Sequence, residues 1–424
     1  MPDYRLTPEG KILLKRPPDG AEMEYNFTEE LVPQYVLPDI LKFENGQPVL
    51  NESDWLQRRR ELISLFETLV YGRASSKPFT LEFSIEEPWT PTLNDTGLRK
   101  QVCITISTQK GSLPLHLLLY IPNNPIKKTP MFLGLNFNGN HSITTDSEIN
   151  LNPGWFRADP ENGIINHNAT EASRGCATSR WPIQTILEAG FGVATMYYGD
   201  IDPDFDDGFH NGLHPLFYDE NQTQPAADEW SSIGAWAFGL SRALDYLETE
   251  HSVDASKVAV IGHSRLGKTA LWAGALDNRF AMVISNESGC GGAALNRRGF
   301  GEHVHAINHT FSHWFCGNFK QYNDNESALP IDQHQLLALI APRPLYVASA
   351  EGDQWSDPYG EFVSSKEASV AYEFLNLPGL PNKEFPILKE TDFSGTVAYH
   401  IRPGKHDLTE WDWAQFIAFA KKKI

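Results

Sequence analysis

The chain has 424 residues, of which 41% are hydrophobic, 12% aromatic and 21% charged, a composition that supports a large packed core without staples. A formal net charge of -19 excludes a partner gripped through a broad basic face, so neither nucleic acid nor an anionic membrane is expected to bind. Cysteines occur only at 103, 176, 290 and 316, with no C-x-x-C pair and no Cys/His spacing of a zinc site, so neither a structural metal nor a cofactor is expected.

Residues 1–50 are rich in Pro, Asp and Glu and poor in periodicity, which predicts an irregular segment wrapping one domain that spans 1–424. "SDWLQRRRELISLFETLVYG" predicts a helix capped by Ser53. "FTLEFSIEE", "QVCITIST" and "LPLHLLLYIP" predict successive antiparallel strands. From "PMFLGLNFNG" onward strand and helix alternate: strands at "GFGVATMYYG", "KVAVIG", "FAMVISNESG", "PLYVASAEGD" and "TVAYHIRPG", a long helix at "DEWSSIGAWAFGLSRALDYLE" and a last one at "LTEWDWAQFIAFAKK". That order predicts an α/β fold, a three-layer αβα sandwich around a mostly parallel sheet. The N-terminus has no apolar leader core, and no uninterrupted apolar run reaches the roughly eighteen residues of a membrane span. A soluble chain is expected, from which a leader could have been removed.

The stretch "VAVIGHSRLGKTALWAG" admits two readings. Gly262 to Thr269 spells G-x-x-x-x-G-K-T, a phosphate-cradling loop. Such a loop belongs on the first strand of a nucleotide domain and needs a strand-end Asp for magnesium, and neither condition is met here. Alternatively, Ser264 sits between an apolar strand and a helix, where a nucleophile is held at a sheet edge, and an acid and a histidine must follow at later strand ends. They do: Glu287 follows "AMVISN", Asp353 follows "LYVASAEG" and His406 follows "VAYHIRPGK". His400, on the strand itself, reads as structural. Leu266 stands where a G-x-S-x-G turn would have its second glycine, which comes at Gly267 instead.

The segment "GHSRLGKTALWAGALDNRFAMVISNESGCGGAALNRRGFGEHV", together with "WPIQTILEAGFGVATMYYGDIDPD", "HWFCGNFKQY", "LPIDQHQLLALIAPRPLYVASAEGDQWSDPYGEF" and "GKHDLTEWDW", resembles the glucuronoyl esterases of carbohydrate esterase family 15, whose signature is G-x-S-R-x-G-K. His263 stands where fungal members carry Cys, so the chain is closer to bacterial members and lacks that disulfide. Cys290 with Cys316 could pair in an oxidising compartment, although buried free thiols are the commoner reading.

The resemblance implies an α/β-hydrolase fold and a serine esterase, secreted or periplasmic and acting as a monomer. Its substrates would be (4-O-methyl-)glucuronoyl esters joining xylan to lignin alcohols; an acetyl-xylan or other acyl esterase is the alternative. It implies Ser264 as nucleophile, His406 as base, either Glu287 or Asp353 as the orienting acid, and Arg265 as oxyanion donor through its backbone N–H and its guanidinium; with a carboxylate at both positions, both are expected near the imidazole, raising its pKa, and the loss of one is expected to be partly compensated by the other. It further implies that Lys268, Glu302 and Trp355 hold the sugar. Arg297 and Arg298 in "NRRG" are expected to add positive potential for a uronate. Backbone amides in "LNFNGNHS" are candidates for the oxyanion side.

Overall fold

The computed structural model describes residues 5–123 and 127–424. The chain opens on a small antiparallel sheet of β1 (Arg5–Leu6), β2 (Ile12–Arg16) and β3 (Ala21–Tyr25), where an irregular segment was expected. Its signal lies in "AEMEY", where Met23 and Tyr25 are buried and the alternating Glu22 and Glu24 face out. That is the two-residue period of a strand, carried by strands too short to dominate the composition. Helix α1 (Glu52–Phe66) is capped two residues before the predicted cap. Asn51 is the N-cap, its side chain accepting from the Asp54 N–H at 3.0 Å, and Ser53 lies inside the first turn. Asn and Ser are comparably good caps, and the one at the extended residue takes the role.

The central sheet starts as the antiparallel meander β4 (Thr80–Thr92), β5 (Gly97–Thr108) and β6 (Gly111–Pro122), at the predicted positions. Next come β7 (Thr129–Asn136), the two-residue pair β8 (Ile164–Ile165) and β9 (Asn168–Ala169), α2 (Ile183–Glu188), β10 (Gly192–Tyr197), α3 (Tyr198–Ile201) and α4 (Ser232–Thr249). The remainder alternates: β11 (Val253–His263), α5 (Arg265–Leu276), β12 (Met282–Asn286), α6 (Val304–Thr310), α7 (Gln333–Ala338), β13 (Leu345–Ala350), α8 (Pro358–Phe374), β14 (Val397–Arg402) and α9 (Glu410–Lys423).

The nine-stranded order is β14-β13-β12-β11-β7-β10-β6-β5-β4, and every neighbouring pair from β14 to β10 is parallel. Successive residues of the parallel strands serve opposite layers. Leu133, Val260 and Val283 pack on the side of α4, α5 and α8, while Phe132, Ile261 and Ile284 pack with α2 and α9. Burial of both faces explains why these strands read as continuous apolar runs. Four parallel strands end on one edge, and the segments leaving β11, β12, β13 and β14 carry Ser264, Glu287, Asp353 and His406.

Trp413 locks the α9 layer: it is fully buried, sits edge-on to Phe132 at 5.3 Å and donates its indole N–H to the Arg180 carbonyl at 2.8 Å. Trp413→Ala is expected to lower stability by about 3–5 kcal/mol, read as a shift in the denaturant midpoint.

Candidate active site

Ser264 occupies the turn between β11 and α5 with φ 58° and ψ -129°, a conformation that costs a non-glycine residue energy and persists only where its surroundings enforce it. They do so here. Its N–H donates to the Asn286 carbonyl at 2.9 Å, and its carbonyl accepts from Gly267 at 2.8 Å. A Cβ at position 262 would lie 1.8 Å from the Leu266 carbonyl oxygen, so the turn closes only over glycine. At 267 a Cβ would meet the Ser288 Cβ at 3.0 Å, whereas Leu266 points into the core. The second glycine is therefore needed where the helix passes Ser288, one residue later than in the general turn. The phosphate-loop reading fails on the same residues: the Lys268 ammonium is buried and donates to the Ser288 carbonyl at 2.6 Å.

The His406 Nδ1 lies 2.6 Å from Asp353 Oδ2 and 3.2 Å from Glu287 Oε2, so both candidate acids converge on one nitrogen. The ring of His263, next to Ser264, packs 4.5 Å from the His406 ring, which ties the nucleophile turn to the histidine loop. Burial opposes charge on His406, but Asp353 and Glu287 outweigh it and raise the imidazole to about 9. Burial also works to raise Asp353, and the bond to His406 overcomes it, leaving that carboxyl below its usual value. Burial dominates at Glu287 and pushes it up to about 7 against the pull of His406 and Arg402.

Arg402 donates to Glu287 Oε1 at 2.6 Å, and the Asp407 N–H donates to Oε2 at 3.0 Å. Glu287, Asp353 and His406 could each offer a metal a donor atom within 4.8 Å of the others. Arg402 and Asp407 already engage both Glu287 oxygens, and the set is suited to orienting an imidazole. His400 is structural, as read: it is fully buried and bonded to Asp412 at 2.9 Å and the Tyr346 hydroxyl at 2.8 Å.

Arg265 opens α5, so its backbone N–H has no preceding helical carbonyl to satisfy it. Its guanidinium is walled by Trp314, Phe137 and Phe311 at 4.6, 5.5 and 5.6 Å and paired with Asp204. Its Nε is buried and has no hydrogen-bond partner among the described residues. Asp204 was missed in the sequence because "DIDPDFDDG" looks like a solvated acidic loop. It is fully buried and accepts from the Tyr198 hydroxyl at 2.8 Å, His313 at 2.9 Å and the Trp314 indole at 2.7 Å. Burial would raise its carboxyl, yet Arg265 and His313 hold it well below the ordinary range. The Asn side chains of "LNFNGNHS" are spent on the scaffold: Asn136 donates to Asn140 at 2.8 Å, and Asn140 to the His116 carbonyl at 2.8 Å.

Lys268, Glu302 and Trp355 do come together. The Lys268 ammonium lies 3.7 Å from Glu302, whose backbone N–H donates to the Trp355 carbonyl at 2.9 Å. Trp355 packs against Tyr25 of β3 at 4.8 Å and lies under the Arg16 guanidinium at 4.6 Å. The small N-terminal sheet therefore builds one wall of the site.

Arg297 and Arg298 do not face it. Arg297 is buried in a pair with Asp332 at 3.1 Å and donates to the Ile331 carbonyl; Arg298 pairs with Asp357 at 2.8 Å and Glu29 at 2.6 Å. Both cations are neutralised inside the fold, so neither lends potential to a substrate carboxylate. Glu361 on α8 also escaped notice. It is fully buried and accepts from the Ser288 and Gly289 N–H groups at 2.8 and 2.9 Å, so it holds the chain just beyond Glu287. Burial pushes its carboxyl up to about 8. The four cysteines are free thiols, with Cys290 and Cys316 buried.

A nucleophile elbow beside a carboxylate-held histidine, at the ends of parallel strands, defines an α/β-hydrolase. A family model described as glucuronyl esterase, fungi, matches residues 138–376. A carbohydrate esterase of an unknown prokaryotic organism is 48% identical over 397 residues, covering 93% of this chain and 91% of that protein. A promiscuous family 15 carbohydrate esterase from a marine bacterial metagenome has a TM-score of 0.89 at 47% identity, covering 94% of this chain and 100% of that one. A glucuronoyl esterase from Solibacter usitatus has a TM-score of 0.86 at 45% identity, covering 93% and 99%. The chain belongs to the glucuronoyl esterase family, carbohydrate esterase family 15.

A base must be neutral to accept a proton, so kcat/KM on a glucuronate ester should rise with pH through an acid limb displaced above the ordinary imidazole value of 6.5. Asp353→Asn removes the nearer anion and should move that limb to lower pH while kcat falls. Glu287→Gln should move it the same way by less, because Arg402 already offsets that charge. An unmoved limb in both variants would show that neither anion governs the ring. For Asp204→Asn, loosening the guanidinium should cost about tenfold to a hundredfold in kcat with little change in KM; steady-state kinetics checks the split.

Proposed function

We propose that this chain hydrolyses (4-O-methyl-)glucuronoyl esters that link glucuronoxylan to lignin alcohols, through an acyl-enzyme on Ser264. The observation that carries the reading is the His406 ring, held on Nδ1 by Asp353 at 2.6 Å and Glu287 at 3.2 Å beside the strained Ser264 turn. With Nδ1 so engaged, Nε2 is the nitrogen that takes the Ser264 proton and returns it to the departing alcohol. The Arg265 backbone N–H and its Nε, which has no partner among the described residues, stabilise the oxyanion in a pocket lined by aromatic rings. Water activated by His406 then releases the uronate.

On this reading, Lys268 and Glu302 meet the sugar hydroxyls and Trp355 meets a C–H face, the pairing of polar forks with an aromatic surface that a sugar ring requires. No helix among the described residues is long and apolar enough to cross a membrane. A plant-wall polymer as substrate supports a secreted or periplasmic location. The net charge of -19 supports a protein that acts on its sugar ester without nucleic acid or membrane as partner.

Comparing benzyl glucuronate with 4-nitrophenyl acetate separates this activity from an acyl esterase on the same scaffold. The glucuronate ester should have the higher kcat/KM, and Ser264→Ala should lower it by about a thousandfold or more. A strong preference for the acetate would replace the proposed substrate, and undiminished turnover in Ser264→Ala would remove the serine mechanism.

A further inference from the structure

Away from the strand ends, Glu86 of β4, Cys103 of β5 and His116 of β6 bring a carboxylate, a thiol and an imidazole together, with one donor atom of each within 4.8 Å of the others. Sheet register is the cause. Cys103 and His116 are direct cross-strand partners in the β5–β6 pair, a placement that leaves Cβ atoms about 4.5–5.5 Å apart on one face. On β4 the register steps from Ile85 opposite Val102 to Glu87 opposite Gln101, so Glu86 is the extra residue of a β-bulge. Bulges commonly serve to re-aim a side chain. The Glu86 carboxylate lies 3.3 Å from His116 Nδ1.

A carboxylate lies near the cluster. Asp200, in the short helix α3 that packs on β6, is close enough for its charge to bear on both His116 and Cys103. Its Oδ1 accepts from Asn152 at 2.7 Å, whereas its Oδ2 is buried and has no hydrogen-bond partner among the described residues. A buried carboxylate oxygen left unpaired is costly unless a cation or donor completes it. Glu86 and His116 are each about one-third exposed at the side chain, so an ion can reach the cluster from solvent.

We propose that Glu86, Cys103 and His116 form a divalent-cation site of the zinc class, with the Asp200 carboxylate beside it, that ties the edge strand β4 to β5 and β6. One thiolate, one imidazole and one carboxylate are a borderline-soft mixed set of three that suits zinc with a water as fourth ligand. Burial raises the Cys103 thiol, so binding must displace its proton: the thiol and the dication give a sulfur–metal bond and a released proton. The pattern is invisible as Cys/His spacing in the sequence because its residues meet across strands rather than along one turn. Since β4 is the sheet edge, the ion would stabilise strand pairing and leave hydrolysis unaffected.

Cobalt(II) reports the site directly. Titration of the full chain should saturate at one ion with a thiolate-to-cobalt charge-transfer band in the near-UV and the intense visible bands of four-coordinate cobalt. Cys103→Ser should abolish the charge-transfer band, and His116→Gln and Glu86→Gln, which keep the thiol, should each weaken binding by about tenfold or more. Zinc should displace cobalt and raise the unfolding temperature of the parent but not of Cys103→Ser, with the ester hydrolysis rate the same in both. No saturable cobalt binding, a charge-transfer band that survives Cys103→Ser, or unchanged affinity in both thiol-retaining variants would each overturn the site.

Discussion

An imidazole gripped on one nitrogen by two carboxylates from different strands is the constraint that organises this protein. Two anions beside one ring repel each other in a water-poor place, and the arrangement holds only because a cation lies behind one of them. Arg402 supplies it, bonded to Glu287 at 2.6 Å and to Asp412 at 2.8 Å, and Asp412 in turn holds His400. Charges alternate from Asp353 through His406, Glu287 and Arg402 to Asp412, running from the sheet edge into the α9 layer. Each inner member of this chain touches two partners of opposite charge, so its removal weakens two contacts at once.

The nucleophile side follows the same logic. Ser264 is held in an unfavourable conformation by backbone bonds to Asn286 and Gly267, and the peptide after Glu287 is clamped from two directions. Lys268 donates to the Ser288 carbonyl, and Glu361 accepts from the N–H groups of Ser288 and Gly289. One short segment thus couples the Ser264 helix, the carboxylate at Glu287 and the buried end of α8. Asp204 plays a comparable part for the Arg265 guanidinium. Several of these groups lie in turns and loops, held in place by hydrogen bonds from buried neighbours, so the donors are preorganised.

Much of the candidate site was legible because the proposed nucleophile, acids and histidine each follow a strand, and strands announce themselves as apolar runs. Ser264, Glu287, Asp353 and His406 could be placed from order alone, and the choice of His406 over His400 rested on one being in a loop and the other on a strand. Arg297 and Arg298 show the limit. Two adjacent arginines near a candidate site look available to a substrate, but their charges are consumed by Asp332, Asp357 and Glu29. Asp204 and Glu361 fail in the opposite direction. Each is an acidic residue among polar neighbours in the chain, and only packing reveals that it is buried.

By itself the sequence determined the alternation of strands and helices, the strained turn demanded by Gly262 and Gly267, and the order in which the reactive groups arrive. Those are local properties, carried by periodicity and by the absence of a Cβ where the backbone passes close. Tertiary structure alone decided that Asp204 and Glu361 are buried, that Tyr25 of β3 packs against Trp355, and that Cys103 and His116 stand opposite each other. Such contacts depend on register and on which buried charge finds which partner, and no spacing along a single chain encodes either.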